Sequence, residues 1–270
     1  MLVGGVFVGS VLGGVKECGK TIEDALFVNY CCIVCGDEID SNCDSRICDE
    51  CKKTFPILPL TDMCSKCGAP LNKTTKICDD CKLIKFNFDE ARASFEYSGK
   101  AKNLILALKY KNKKYLAKEF ARLMYERYLK WGVVVDMLVP VPISDKRRKF
   151  RGYNQSEIIA EEFAKLTGIS TFTNIVARID NDTTQQHSTR KERFENMKGV
   201  FKLLDKSPLT DKNILIIDDV YTTGATVNEL STMLKKLKPR KIYVLTAGKT
   251  LFNNNNTTKR KWYQKLFMAG

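Results

Sequence analysis

Apolar positions recur at helical spacing through residues 101–130, where Leu104, Leu108, Leu116, Phe120 and Met124 make one stripe. Residues 136–142 read DMLVPVP, a short apolar run punctuated by prolines, as expected of a buried strand that ends in a loop. A helical pattern follows over 156–166. Residues 213–220 read NILIIDDV and predict a second buried strand, then a Thr/Gly turn and a helix over 226–238. KIYVLTA at 241–247 predicts a third strand. Strands that alternate with helices imply right-handed crossovers and a mainly parallel sheet, so the expected fold class is α/β.

Residues 31–81 follow another rule. They have short turns, no long apolar periodicity, and ten of the chain's eleven cysteines. Cys32/Cys35, Cys48/Cys51, Cys64/Cys67 and Cys78/Cys81 form four CxxC knuckles. One knuckle sets two thiolates on the same side of a tetrahedral ion, and two knuckles complete a closed shell of four. The chain has one histidine, His187, so a metal site must rest on cysteines or carboxylates. A redox CxxC sits once, at a strand-to-helix turn within a βαβ pattern, and no such pattern surrounds these four. Segments this small lack a core and normally fold on metal. Two structural Zn2+ sites are expected, most simply in tandem over 32–51 and 64–81, with crossed pairing left open. Cys31 is an alternative ligand to Cys32, and Cys18 and Cys43 have no assignment. An odd cysteine count concentrated in this way does not read as a secreted disulfide framework.

Charge adds the next constraint. The formal net charge is +14, which favours anionic partners. Residues 32–81 carry nine acids and six bases, so the knuckles are poor phosphate grips. The positive excess lies elsewhere: ten bases against two acids at 100–130, five against one at 144–151, and four against none at 259–265. Lys109, Tyr110, Lys111, Lys113 and Lys114 interleave cations with a ring, and Tyr115, Phe150 and Tyr153 lie in the same basic stretches. Rings that stack on bases while cations follow the backbone suit single-stranded DNA. The basic end, KRKWYQKLFMAG, offers contact with anionic lipid as a competing use. Residues 1–15 are apolar but glycine-rich, without a basic start, and shorter than the ~20 residues a membrane span needs. They read as a loose extension or a mis-assigned start, with no integral membrane segment. The expected compartment is the cytoplasm, with the inner face of the membrane as a peripheral location.

The segment ILIIDDVYTTGAT at 214–226 carries the chemistry. A buried strand ends in Asp218 and Asp219, and a loop of small and hydroxyl residues leads into a helix. Ligands bind at that edge of open α/β sheets. Backbone N–H groups and threonine hydroxyls at a helix N-terminus suit a phosphate monoester. The segment lacks the Gly-Lys-Ser/Thr of a nucleotide P-loop and the G-x-G-x-x-G of a dinucleotide site. Two carboxylates beside a phosphate cradle fit a ligand that also carries a vicinal diol.

In this segment the chain resembles the phosphoribosyltransferases, which bind phosphoribosyl pyrophosphate (PRPP). LVPVP at 138–142, RGYNQSE at 151–157, QQHSTRKERFENMKGVF at 185–201, ALKYKNK at 107–113 and the CxxC knuckles together resemble the ComF family of competence-associated proteins. The resemblance implies a type I phosphoribosyltransferase-like parallel sheet with helices on both faces, preceded by a small double zinc-ribbon module. It divides the chain into an extension (1–30), ribbons (31–85), a transferase-like domain (86–250) and a basic tail (251–270). It also implies that Asp218 and Asp219 hold the ribose hydroxyls, and that Thr222, Thr223, Gly224, Ala225 and Thr226 hold the 5′-phosphate. Lys146, Arg147 and Arg151 would face pyrophosphate, and Mg2+ would bridge pyrophosphate and ribose oxygens. Gln185, Arg193 and Asn196 would belong to a closing loop, with Arg193 neutralising the pyrophosphate leaving group. The implied role is DNA uptake in natural transformation, binding single-stranded DNA and PRPP/Mg2+ alongside other uptake proteins such as a helicase. The alternatives are an ordinary phosphoribosyltransferase acting on a purine or other small nucleophile, and a PRPP-sensing adaptor without catalysis.

Overall fold

A computed structural model of the chain describes residues 31–40, 45–71, 75–179, 190–207 and 209–251. The elements run α1 (Asp49–Thr54), α2 (Asp79–Leu83), β1 (Glu90–Glu96), α3 (Gly99–Tyr110), α4 (Leu116–Trp131), β2 (Met137–Pro140), α5 (Asp145–Arg151) and α6 (Gln155–Thr167). They continue as β3 (Val176–Arg178), α7 (Arg190–Met197), β4 (Phe201–Leu203), β5 (Asn213–Tyr221), α8 (Ala225–Lys235) and β6 (Lys241–Lys249). Strands β1, β6, β5 and β2 lie in that order in one sheet, and each neighbouring pair is parallel. Strands β3 and β4 make a separate antiparallel pair.

Side chains alternate across the central strands, so successive residues of β5 feed opposite cores. Leu215 and Ile217 pack with Leu104 of α3, Phe120 of α4 and Phe163 of α6 on one face. Ile214 and Ile216 pack with Val227, Leu230 and Leu234 of α8 on the other. The expected α/β sheet with helices on both faces is therefore present. The single helical pattern over 101–130 is two helices. The chain turns between them at Asn112, whose φ is +53°, and the apolar stripe passes from α3 to α4.

The edge strand β1 has no free outer edge. Leu58 N donates to Ser94 O at 3.0 Å, Glu96 N to Pro56 O at 2.7 Å and Ala91 N to Lys66 O at 2.7 Å. Bonds along this side remove the bare ladder that invites aggregation. Residues 56–58 join the two cysteine-rich segments and Lys66 lies within the second, and the two segments sit on opposite faces of the sheet. Cys32, Ile47, Cys51 and Phe55 enter the α3–α4–α6 core. Phe55 meets Phe95 edge-on with ring centroids 5.3 Å apart. Cys64 and Cys67 enter the α8 core with Phe86 and Phe88. The hydrophobic interior therefore does not divide at residue 85.

Among the described residues no helix is long and apolar enough to cross a membrane. The N-terminal extension, Gln185, His187 and the basic tail lie outside the described residues.

Candidate functional site

The two acids lie near the carboxyl end of β5, Asp219 buried and Asp218 half-buried. Lys109 Nζ, from the last turn of α3, lies 2.8 Å from Asp219 Oδ1. Burial works against the charge of Lys109, but Asp219 outweighs it and holds the ammonium above its ordinary pKa. Asp218 accepts from Ser156 Oγ at 2.8 Å and from the Asp219 backbone N–H at 2.9 Å. Desolvation and the neighbouring charge of Asp219 push its carboxyl up to about 7, against the lowering by Ser156 and Lys109. The pair is thus electrically uneven: Asp219 has a cation in contact, while Asp218 is poised near neutrality. Ser156 is held in place by the start of α6, where Asn154 caps the helix through its side chain and donates to Val141 O at 3.0 Å.

After the acids the chain makes a tight turn. Gly224 has φ +84°, and a Cβ there would come within 2.3 Å of the Tyr221 hydroxyl oxygen and 2.9 Å of Phe86 Cε1. A side chain would collide with these rings, so glycine is required where the turn packs under Tyr221 and Phe86. Thr223, Gly224 and Ala225 are buried, and Thr222 and Thr226 are half-buried. Thr223 Oγ1 accepts from Ala225 N at 3.3 Å. Phe86 also ties α7 to this turn, since its ring lies 6.1 Å from that of Phe194. Arg193 on α7 is therefore carried to the neighbourhood of the turn, half-buried, along with Asn196.

The loop after β2 becomes α5, a helix of seven residues that begins at the Ser144 cap and ends at Gly152. Lys146 is exposed, and Arg147 and Arg151 are half-buried. Arg151 Nη1 donates to Gln155 Oε1 at 2.7 Å and Nη2 to the Tyr110 hydroxyl at 3.2 Å, with its guanidinium 4.9 Å from the Tyr110 ring centroid. This contact joins α5 to the 110–115 turn, so two of the three basic segments form one surface. Lys111, Lys113 and Lys114 are exposed there, Tyr110 is 58% exposed and Phe150 79%. Two expected members differ. Lys109 faces the acids and is half-buried, and Tyr153 is buried with its hydroxyl donating to Leu108 O. The Tyr153 ring cannot offer a stacking face to a base; Lys114 Nζ sits over it at 4.8 Å.

The cysteines gather as two tandem tetrads, Cys32, Cys35, Cys48 and Cys51, then Cys64, Cys67, Cys78 and Cys81. Cys35 Sγ and Cys48 Sγ are 3.8 Å apart, and Cys67 Sγ and Cys78 Sγ 3.7 Å. A metal–sulfur bond of about 2.3 Å gives a tetrahedral edge of about 3.8 Å, so both sets fit Zn2+. Cys32 Sγ accepts from Val34 N at 3.4 Å and Cys48 N at 3.3 Å, and Cys64 Sγ from Cys78 N at 3.4 Å. Such bonds orient thiolates toward an ion. Crossed pairing is ruled out by this grouping, and Cys32 rather than Cys31 completes the first set.

A strand that ends in two acids and a turn too tight for a side chain is where the comparison with known proteins decides the family. The family model for the phosphoribosyl transferase domain matches residues 109–267. The chain belongs to the phosphoribosyl transferase domain family. Among curated relatives, Competence protein F of Haemophilus influenzae is 29% identical over 227 residues, covering 81% of this chain and 96% of that protein. Competence protein ComFC of Streptococcus pneumoniae is 29% identical over 222 residues, covering 81% and 92%. DNA utilization protein YhgH of Escherichia coli K12 is 26% identical over 194 residues, covering 70% and 85%. The resemblance to the ComF family is borne out by these relatives.

The sequence pattern left Ser156 without a role, although it lies within the RGYNQSE motif. Its partnership with Asp218 spans 62 positions, and no local signal announces it. Lys109 had a signal only as one more base in a basic run.

Proposed function

We propose that this ComF-family protein binds PRPP with Mg2+ at the β5–α8 turn and single-stranded DNA on the α3–α5 basic face, serving DNA uptake. One observation carries the reading of the turn. The paired acids lie near the carboxyl end of β5, and the chain runs from them through a threonine-glycine turn into the N-terminus of α8, at the ligand-binding edge of a phosphoribosyl transferase sheet. In this reading Asp218 and Asp219 accept from the ribose hydroxyls, and Thr222–Thr226 give N–H and hydroxyl donors to the 5′-phosphate. Lys146, Arg147 and Arg151 face the pyrophosphate. Bound Mg2+ would supply charge neutralisation for the pyrophosphate. Arg193 approaches from α7, where its charge would stabilise a departing pyrophosphate. Lys109, in contact with Asp219, sets the charge that the incoming ligand meets.

The two tetrads hold structural Zn2+ in the same reading, since each shell is closed by four thiolates and offers no open position. Lys111, Lys113 and Lys114 would follow the DNA backbone, with Tyr110 and Tyr115 as stacking rings. The working place is the cytoplasm.

Calorimetric titration of Mg2+-PRPP into wild type and into the Asp218→Asn/Asp219→Asn double variant tests the turn. Affinity should fall by ~1.5–3 kcal/mol for each charge-assisted hydrogen bond lost. Unchanged binding would remove PRPP from this site. Pyrophosphate release measured across candidate acceptors, with and without single-stranded DNA, then separates a transferase from a PRPP sensor.

A further inference from the structure

Three pairs of consecutive residues close a ring around the site. Lys109 touches Asp219, and its neighbour Tyr110 carries the guanidinium of Arg151 on its ring and bonds it through its hydroxyl. Arg151 donates to Gln155, and the neighbour of Gln155, Ser156, donates to Asp218, which adjoins Asp219. The inner arc of this ring is the acid pair. Its outer arc, Tyr110, is more than half exposed on the basic face. A second observation singles out the joint between the arcs. Gln155 is 1% exposed, and its Nε2 has no hydrogen-bond partner among the described residues. A buried amide donor without a partner is costly, and the cost is removed when a ligand oxygen reaches it.

We propose that the Tyr110–Arg151 stack is a two-state joint that couples the basic face to the acid pair, so that PRPP and single-stranded DNA strengthen each other's binding. The inference rests on the reading of the two sites given under Proposed function. Each terminal nitrogen of Arg151 spends one of its two N–H donors within the protein, Nη1 on Gln155 and Nη2 on Tyr110, and these bonds hold the fork against the tyrosine. A pyrophosphate prefers the same forked donor pair, bidentate and charge-assisted. When it claims the fork, Arg151 leaves the tyrosine, and the buried Gln155 amide acquires an anionic oxygen within its surroundings. The face of the Tyr110 ring that Arg151 covered is then open to a base. A base that takes that face first drives Arg151 off and presents its fork to pyrophosphate. Each ligand favours the separated state, so the coupling is positive, and linkage requires it to be equal in both directions.

The experiment measures oligothymidylate binding by fluorescence anisotropy with and without saturating Mg2+-PRPP, and PRPP binding by calorimetry with and without the oligonucleotide. Each ligand should tighten the other by the same factor, about five-fold or more. Mg2+-pyrophosphate should reproduce the effect on DNA, because it claims Arg151, and ribose 5-phosphate should not. Tyr110→Phe keeps the ring but loses the hydroxyl bond to Arg151. It should bind DNA more tightly than wild type in the absence of PRPP and show a smaller coupling factor. Tyr110→Ala should abolish coupling in both directions. If both ligands bind and neither changes the other's affinity, the joint is wrong while the two sites stand. If PRPP weakens DNA binding, as plain competition between anions gives, the joint is also overturned. An equal effect from ribose 5-phosphate and pyrophosphate would move the coupling to the acid pair and away from Arg151. If either PRPP or DNA fails to bind, the inference falls together with the functional reading.

Discussion

Arg127 reaches out of α4 to the chain between the two ribbons, donating from Nη1 to Pro59 O at 2.7 Å and from Nη2 to Leu58 O. A third bond runs from Nη2 to Ser94 O at 3.4 Å, so one buried guanidinium holds the inter-ribbon segment, the edge strand β1 and a core helix together. Desolvation lowers the pKa of Arg127 from its usual value, with Arg92 nearby adding to it. Arg127→Met keeps the apolar stem and removes the donors. It should destabilise the protein by about 3 kcal/mol, because buried carbonyls lose charged partners. Urea unfolding with an unshifted midpoint would show that the segment is held by other means.

Metal removal should act on the whole chain. Knuckle residues Cys32 and Cys51 line one core and Cys64 and Cys67 the other. Elemental analysis is expected to give two zinc ions per chain. Chelation should then abolish near-ultraviolet ellipticity from both faces of the sheet in one transition. A protein that kept its sheet packing after losing both ions would carry its cores without the ribbons.

Asp218 gives a pH signature whose sign is fixed. Its folded value, about 7, is above the ordinary 3.8. The unfolded chain releases this proton first, so stability falls as pH rises between those values. Asp218→Asn removes the penalty. Its Tm should exceed that of wild type at pH 8, and the difference should close toward pH 4. PRPP affinity should run the other way, climbing as pH rises through about 7, because the charged carboxylate is the better acceptor. The variant corrects for the phosphates' own ionisation. A wild-type-to-variant affinity ratio that is flat from pH 5 to 8 would contradict the assignment.

DNA binding should be salt-dependent, with a slope of about −0.7 for each phosphate neutralised on a single strand. Changing Lys111, Lys113 and Lys114 to Ala should flatten the slope by roughly two units. Tyr115→Ala should weaken binding and leave the slope in place, since stacking releases no counterions. If the triple variant bound normally while deletion of 257–270 abolished binding, the DNA site would lie in the tail.

The central strands were legible because each carries an unbroken apolar run, and the acid pair because two carboxylates close such a run at Asp218 and Asp219. Strand β1 was not. Its sequence EARASFE mixes charges with small residues, and Arg92 reads as solvent-facing although its guanidinium lies 5.1 Å over the Trp131 ring. Helix α5 shows no apolar stripe in DKRRKFR and depends on the Ser144 cap and Gly152. The break at Asn112 falls within a stretch whose hydrophobic spacing continues across it. Contacts such as Ser156 with Asp218 or Arg122 with Ser45 join residues far apart in the chain, and periodicity carries no record of them.

Strand β1 has β6 as its sheet neighbour, with Glu90 opposite Tyr243 and Glu96 opposite Lys249. During synthesis the cysteine knuckles and β1 leave the ribosome long before that neighbour exists. Synthesis of the knuckles and closure of the sheet are therefore separate events in time, with some 150 residues of translation between them. In the interval Phe55, Phe86, Phe88 and Phe95 have no completed sheet to cover them. A nascent chain of this kind keeps those rings uncovered until its last strand arrives.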